Sequence, residues 1–243
     1  MKISVAILGV IILVVGGWLY IDNKSETNDT STTVGEKNNE GDEINQNTVN
    51  ARQVVMPGSY VVDTSASTVG WAGKKPLIDG YINSGTLDLS EGVITVTNAT
   101  AAGSFTIDMN TLKVGLTAKK PGQESVLEGH LKGDSWFNVT EFPTASFNIT
   151  NVSVRTDSDS TSDSTFQYDV TGDLTMKGVT NEINFPAEIY ETATGQVQVE
   201  ATTTIDRTKW GLTAMSGSFF DNLADNVIDD SIQLSFTLVA DKN

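Results

Sequence analysis

The feature that most constrains the fold is a two-residue alternation of apolar and polar side chains, which recurs along the chain from residue 58 to residue 243. In the stretch 166–177, alternate positions hold Phe166, Tyr168, Val170, Leu174 and Met176, and the positions between them are mostly polar. Successive side chains of a β-strand point to opposite faces, so this pattern predicts strands with one dry and one solvated face. The region is therefore predicted to be all-β.

Segments with this alternation fall at 59–63, 67–74, 81–90, 99–109, 144–154, 165–177, 182–190, 196–206 and 231–240. They give about eight strands if the first two form one bent strand. Turns between strands are predicted at Asn83-Ser84-Gly85, Glu91-Gly92 and Thr194-Gly195. So many one-faced strands are best satisfied by an antiparallel barrel with the dry faces inward. A β-sandwich is the alternative, because alternation alone does not demonstrate closure.

One stretch interrupts the strands. Val126, Leu127 and Leu131 follow a helical spacing, and alternation resumes only after Pro143. The pattern predicts a short helical insertion. The aromatic residues Trp136, Phe137, Phe142 and Phe147 then form the densest aromatic cluster in the sequence, which is typical of a cluster that closes or anchors a core.

The N-terminal residues predict a membrane anchor. No charged residue occurs from Ile3 to Ile21, a run that reaches close to the ~30 Å hydrocarbon thickness of a bilayer. Residues 1–21 are therefore predicted to be a transmembrane helix with the rest of the chain exported, and a cleaved signal peptide is the alternative. Residues 22–57 are polar and acidic and are predicted to be a disordered linker. Residues 58–243 form the predicted barrel domain.

Composition excludes several classes of function. The formal net charge is −16, which disfavours nucleic acid as a partner. The sequence has no Cys and a single His, so thiolate sites, thiol nucleophiles and multi-His metal sites are ruled out. No recognisable catalytic constellation surrounds His130. We therefore assign no catalytic residue, no metal ligand and no cofactor.

Basic residues stand out on this acidic background, namely Lys119, Lys120, Lys132, Arg207 and Lys209. If some of them meet at one mouth of the barrel, they can hold an anionic or polar headgroup. The preferred alternative is that they pair with nearby carboxylates.

The interior of an eight-stranded barrel is either filled by side chains or holds one small ligand. The predicted inward positions mix bulky residues with glycines, namely Gly70, Gly73, Gly103 and Gly172. These glycines either leave gaps or mark bends in a packed barrel. The residues alone leave both interpretations open.

Several motifs together resemble the YceI-like polyisoprenoid-binding family. They are His130-Leu131-Lys132-x-x-x-Trp136-Phe137, Phe142-Pro143-Thr144-Ala145-x-Phe147, the run Gly172 to Thr180, Arg207-Thr208-Lys209-Trp210-Gly211 and Asp229-Asp230-x-Ile232-x-Leu234. One branch of the family also shares Trp71-x-Gly73-Lys74-Lys75, the run 103–109 and the run 217–223. The motifs follow the family's order over essentially all of residues 59–243.

The resemblance implies a lipocalin-like barrel whose apolar lumen holds an isoprenoid or similar lipid, in a protein exported to the periplasm or the outside of the cell. On this basis the chain is predicted to be a non-catalytic carrier. The sequence departs from the family at Ala66 and Ile78, where many relatives carry a His. The predicted lipid contacts are Trp71, Phe105, Ile107, Phe147, Tyr168, Leu174, Met176, Phe185, Val199 and Phe236.

Two other classes of function stay open at this point. The first is a packed barrel that serves as an envelope stress or adhesion module through its surface loops. The second is an enzyme acting on small apolar molecules, which would depend on His130 and nearby carboxylates. The sequence also leaves the oligomeric state open, with a homodimer as one option.

Overall fold

The computed structural model describes residues 54–155 and 167–243, which form nine strands and one α-helix. The elements in chain order are β1 (Gly58–Val62), β2 (Thr68–Lys74), β3 (Ile82–Val96), β4 (Ala101–Thr117), α1 (Glu124–Lys132), β5 (Thr144–Val154), β6 (Tyr168–Met176), β7 (Val179–Glu191), β8 (Val197–Asp206) and β9 (Ser231–Lys242). The predicted membrane helix, most of the predicted linker and residues 156–166 lie outside the described residues.

The strands close into an eight-stranded antiparallel barrel, in which β1 and β2 together count as one strand. Each strand from β3 to β9 pairs with the next along the chain, and β1 and β2 each pair with both β3 and β9. Strands β1 and β2 therefore occupy the same position between β3 and β9, in agreement with the predicted bent first strand. Closure leaves no free sheet edge, which confirms the barrel and excludes the sandwich.

The alternation read from the sequence matches the burial of the strands. In β6, Val170, Gly172, Leu174 and Met176 are buried, and the residues between them are partly exposed. The dry faces of all the strands point into one interior, where their side chains form a single hydrophobic core.

The strand directions define two ends of the barrel. We call the end at which β1 begins and β9 ends the terminal end; it carries the short turns at 97–100 and 192–196. The opposite end, which we call the helix end, carries α1 and the long connection 207–230 between β8 and β9. That connection contains short 3-10 helices at Arg207–Trp210 and Ala224–Asn226.

The helical insertion is confirmed at Glu124–Lys132. It lies in the connection between β4 and β5, with Leu131 buried and Leu127 packed against the core. No helix within residues 54–155 or 167–243 has the length and apolar composition needed to cross a bilayer.

The turns predicted at Asn83-Ser84-Gly85 and Glu91-Gly92 are wrong, because both segments lie inside β3. Strand β3 runs to Val96 and β4 to Thr117, so these two strands form a longer hairpin than the sequence suggests. At Gly92 a Cβ atom would lie 2.6 Å from Val62 Cγ2, and at Gly85 it would lie within 3 Å of Trp71 Nε1. These glycines permit close packing inside the strand rather than a reversal of the chain. The turn at Thr194-Gly195 is confirmed.

Candidate apolar binding cavities

Four phenylalanine rings form a layer across the middle of the barrel. They are Phe105 on β4, Phe147 on β5, Phe185 on β7 and Phe236 on β9, and all four are buried. Their ring centroids lie 5.3–6.3 Å apart, within the range of favourable aromatic contacts. Above and below this phenylalanine layer the lumen opens into two cavities.

A glycine makes room for one of these rings. Gly172 on β6 faces Phe147, and a Cβ atom at this position would lie 2.4 Å from Phe147 Cζ and 2.5 Å from the backbone oxygen of Asn148. Gly73 differs, because it lines a cavity and the nearest atom to its Cβ position is 3.9 Å away.

The other two glycines with predicted inward positions do not leave gaps. Gly70 lies between the buried Val69 and the inward Trp71, and its Cβ position meets the exposed Ser235, so it faces outward and the prediction is wrong. At Gly103 a Cβ atom would lie 2.2 Å from the backbone oxygen of Val93. Only Gly73 of the four therefore borders open space in the lumen.

The larger cavity lies at the terminal end and has a volume of about 480 Å³. Its wall is mostly apolar and includes Phe105, Ile149, Val170 and Leu238, with the polar turn residues Thr97, Asn98 and Thr100 also lining it. Residues 54–57, which lead into β1, also line it. The chain that precedes the barrel therefore joins it at this cavity.

Hydrogen bonds hold residues 54–57 in place. The backbone N–H of Met56 donates to Glu191 Oε2 at 3.0 Å, and the Tyr60 hydroxyl donates to the Met56 carbonyl at 2.6 Å. Burial, together with the nearby carboxylate of Glu191, raises the pKa of the Tyr60 hydroxyl. Tyr60 is therefore a neutral hydrogen-bond donor at physiological pH.

The smaller cavity lies at the helix end and has a volume of about 220 Å³. Leu127 and Leu131 of α1 line it together with Trp136 and Phe137, which follow the helix. The insertion thus supplies apolar side chains to this cavity, as its helical spacing and aromatic cluster suggest. The wall also contains polar groups, among them Trp71 and Asn83 on the paired strands β2 and β3 and the basic residues Lys74, Lys75 and Arg207.

Arg207 is buried in the wall of the helix-end cavity and acts as a structural cross-link. Its guanidinium donates to the carbonyl oxygens of Asp229, Leu212 and Ile228 and to Asp230 Oδ1. Its charge also lies 5.3 Å from the ring centre of Trp136. Burial lowers the pKa of the guanidinium, although neighbouring aspartates oppose this shift.

Asp230 is the carboxylate that completes this cross-link. Burial acts to raise its pKa, but hydrogen bonds from Ser218 and Ser216 and the charge of Arg207 outweigh that effect. The pKa of Asp230 therefore lies below its ordinary value.

Other cations near this end are also held by partners. Lys132 pairs with Glu128 at 3.1 Å, and this hydrogen bond is the main reason that the pKa of Glu128 is lowered. Lys74 pairs with Asp229 at 3.3 Å. Lys132 and Arg207 therefore pair with carboxylates, which is the preferred alternative of the sequence analysis, rather than forming a shared anion site.

All ten predicted lipid contacts line one of the two cavities. Trp71, Ile107, Leu174, Met176 and Phe236 line the helix-end cavity. Phe105, Phe147, Tyr168, Phe185, Val199 and Phe236 line the terminal-end cavity. Phe236 alone among the ten belongs to both. The structure thus brings these side chains into one lumen, and their role as lipid contacts stays a prediction.

Sequence reasoning missed Asn83, Arg207 and residues 54–57 as parts of the cavity walls. The sequence places Asn83 in a predicted turn, and it presents Arg207 only as a cation at a mouth of the barrel or in a pair with a carboxylate. Residues 54–57 were placed in the predicted linker. The only sequence signal for them is the short apolar run Val54-Val55-Met56-Pro57 immediately before the barrel.

His130 is exposed on α1, and its backbone carbonyl accepts a hydrogen bond from Gly133 N–H. Neither Ala66 nor Ile78, the two departures from the family pattern, lines either cavity. Within the described residues, no group of three or more His, Asp and Glu side chains is arranged to hold a metal ion.

The closed barrel and its two apolar cavities define a class of antiparallel β-barrel with one helical insertion and internal cavities. The family model for the YceI-like domain matches residues 60–240, and the chain belongs to the YceI-like family. A search of curated proteins finds no match to the chain.

Two solved structures share the fold. The crystal structure of BcnA from Burkholderia cenocepacia is 19% identical, with a TM-score of 0.55, and the match covers 74% of this chain and 99% of BcnA. A polyisoprenoid-binding domain from Saccharophagus degradans, implicated in plant cell wall breakdown, is 18% identical, with a TM-score of 0.54 and coverage of 77% and 100%. At this level of identity the likeness concerns the fold.

Proposed function

We propose that this protein is a non-catalytic carrier that holds an isoprenoid or similar apolar lipid in the barrel lumen. The observation that carries the proposal is the pair of apolar cavities inside a closed barrel, of about 480 and 220 Å³. The larger one falls in the size range of small-molecule sites, roughly 300–1,000 Å³. Burial of an apolar chain there would supply affinity at roughly 25 cal/mol per Å² without any charged partner.

The polyisoprenoid-binding description of the Saccharophagus degradans domain supports this class of ligand. The proposal also includes the cellular location of the protein. The uncharged run 3–21 favours a membrane anchor with the barrel exported to the periplasm or the outside of the cell. The linker would then reach the barrel at the terminal-end cavity, because residues 54–57 line it. The lumen lies within one chain, so the proposal does not depend on a homodimer.

The test is the recovery of lipid from the purified protein. The full chain, transferred to an amphiphilic polymer that replaces detergent, is extracted with organic solvent and the extract is analysed by mass spectrometry. Met176→Asp and Phe236→Asp place a charge in the lumen and should abolish the retained lipid. Thr237→Asp is the matched control, because Thr237 is the exposed neighbour of Phe236 on the same strand. Equal lipid in folded Phe236→Asp and Thr237→Asp would contradict the proposal.

A packed-barrel module is the second candidate, and the phenylalanine layer favours it by filling the middle of the lumen. Under this function no lipid copurifies with the parent, and apolar probes bind no better than to a heat-denatured sample. Loop substitutions, rather than lumen substitutions, would then alter the activity.

A further inference from the structure

Two buried polar atoms in the helix-end cavity lack hydrogen-bond partners among the residues that the structure describes. They are the indole Nε1 of Trp71 and the amide Oδ1 of Asn83. Buried polar side-chain atoms in native proteins nearly always have a partner, so such a pair requires an explanation. One atom is a donor and the other is an acceptor.

The β2–β3 pairing brings these two side chains to the same inner wall. Trp71 lies opposite Gly85, and Gly73 lies opposite Asn83. Trp71 and Asn83 are therefore diagonal neighbours on one face, a relation that places side chains about 7–8 Å apart or less. Because Gly85 has no side chain, the indole Nε1 lies over it, within 3 Å of the position that a Cβ atom would take.

The chemistry of this pair matches a neutral group that can accept one hydrogen bond and donate another. A hydroxyl group accepts from the Trp71 N–H and donates to Asn83 Oδ1. The basic side chains that line the same cavity already have protein partners. Lys74 pairs with Asp229, Lys75 contacts Asn226 and the ring of Tyr81, and Arg207 is cross-linked as described above. This arrangement disfavours an anionic headgroup such as a diphosphate.

We propose that Trp71 and Asn83 form the headgroup site of this barrel and that the ligand ends in a neutral hydroxyl group. The inference rests on the proposed function and adds to it the chemistry and the position of the polar end. The apolar chain of the ligand extends from this site toward the phenylalanine layer. A chain longer than the helix-end cavity has to displace the ring of Phe236, which lies in the walls of both cavities.

The test compares three ten-carbon probes, which are chosen short because a longer chain has to displace the ring of Phe236. They are the isoprenoid alcohol geraniol, the hydrocarbon of the same skeleton and geranyl diphosphate. Binding to the full chain in an amphiphilic polymer is measured by displacement of a fluorescent apolar dye. The parent should bind the alcohol at least about tenfold more tightly than either of the other probes.

Two variants remove one hydrogen-bonding atom each. Asn83→Leu keeps the side-chain size and removes the acceptor, and Trp71→Phe keeps an aromatic ring and removes the donor. Each should reduce the preference for the alcohol to less than about threefold while the hydrocarbon still binds. Asn148→Leu, on the exposed face of β5, is the matched control and should keep the preference.

The thermal stability of the unliganded protein gives an independent readout. Asn83→Leu removes a buried unpartnered acceptor, so its melting temperature should rise by a few degrees, whereas loss of a structural Asn would lower it. Trp71→Phe keeps the inference testable if Asn83→Leu does not fold.

The outcomes separate this inference from the function on which it rests. Equal binding of the alcohol and the hydrocarbon by the parent would mean that Trp71 and Asn83 hold only water. Tightest binding of the diphosphate would mean that the headgroup is anionic. Either result overturns the headgroup site and leaves the lipid-carrier function standing. If no probe binds and no lipid copurifies, the carrier function fails and the headgroup site fails with it.

Discussion

The two cavities lie inside the same barrel but differ in the groups that line them. The terminal-end cavity is bordered by short turns and residues 54–57, and its mostly apolar wall includes the polar turn residues Thr97, Asn98 and Thr100. The helix-end cavity is bordered by α1, the segment that follows α1 and the connection 207–230, and its wall includes Trp136, Phe137 and the Arg207 cross-link. The comparison teaches that the alternating strands supply an apolar interior at both ends, whereas the connections decide which polar groups border each cavity. These are turn residues at the terminal end and the buried Arg207 at the helix end.

The phenylalanine layer keeps the two cavities apart, so its removal should have the largest effect. Phe236→Ala should lower the free energy of unfolding by about 3–5 kcal/mol, because a buried aromatic ring is lost and a cavity remains. It should also join the cavities and shift binding toward longer isoprenoid alcohols. Urea unfolding and a chain-length series of ten, fifteen and twenty carbons measure the two effects.

Leu89→Ala is the control for this prediction. Leu89 is buried on the inner face of β3 but lines neither cavity, so its loss should cost about 2–5 kcal/mol of stability without changing the preferred chain length. The layer does not separate the cavities if both variants show the same shift in chain length.

Two glycines test how tightly each region is packed. Gly172→Ala, at the phenylalanine layer, should cost about 2 kcal/mol, because the new methyl group would contact Phe147 and the backbone of Asn148. Gly73→Ala, in the helix-end cavity, should change the free energy of unfolding by less than about 0.5 kcal/mol. Thermal unfolding of both variants provides the measurement, and equal losses would show that the helix-end cavity is closed rather than open.

A smaller loss than that of Gly172→Ala is expected at Asp230, the carboxylate partner of Arg207 in the wall of the helix-end cavity. Because the pKa of Asp230 is lower in the folded protein than in the unfolded chain, its ionised form stabilises the fold above the unfolded value of about 3.9. Asp230→Asn should therefore lower the free energy of unfolding by about 1 kcal/mol at pH 7. The loss should shrink as the pH falls through the lower folded pKa.

Urea unfolding between pH 7 and pH 3 measures this dependence. Asp221→Asn replaces an exposed aspartate in the same connection and should show a change within about 0.5 kcal/mol at every pH. A loss for Asp230→Asn that does not vary with pH would mean that size or shape, rather than charge, explains the effect.

Much of the fold could be predicted because each part depends on a local pattern. The alternation in 168–176 places Leu174 and Met176 in the lumen, and the spacing of Leu127 and Leu131 marks α1. The length of the β3–β4 hairpin is harder to predict, because Gly85 and Gly92 have the character of turn residues in the sequence. Their role in the structure is to accommodate Trp71, Val62 and Phe105, which are brought against them by other strands.

The sequence by itself determined an all-β domain with one helical insertion, a resemblance to a family and, apart from Gly70, which positions face inward, because these follow from side-chain periodicity and from motifs along the chain. Only the tertiary structure decided that the inward residues divide into two cavities and that Trp71 and Asn83 share one wall. The division depends on four phenylalanines from four different strands whose rings meet only after the barrel closes. Contacts of this kind depend on strand register and ring orientation, which no local pattern specifies.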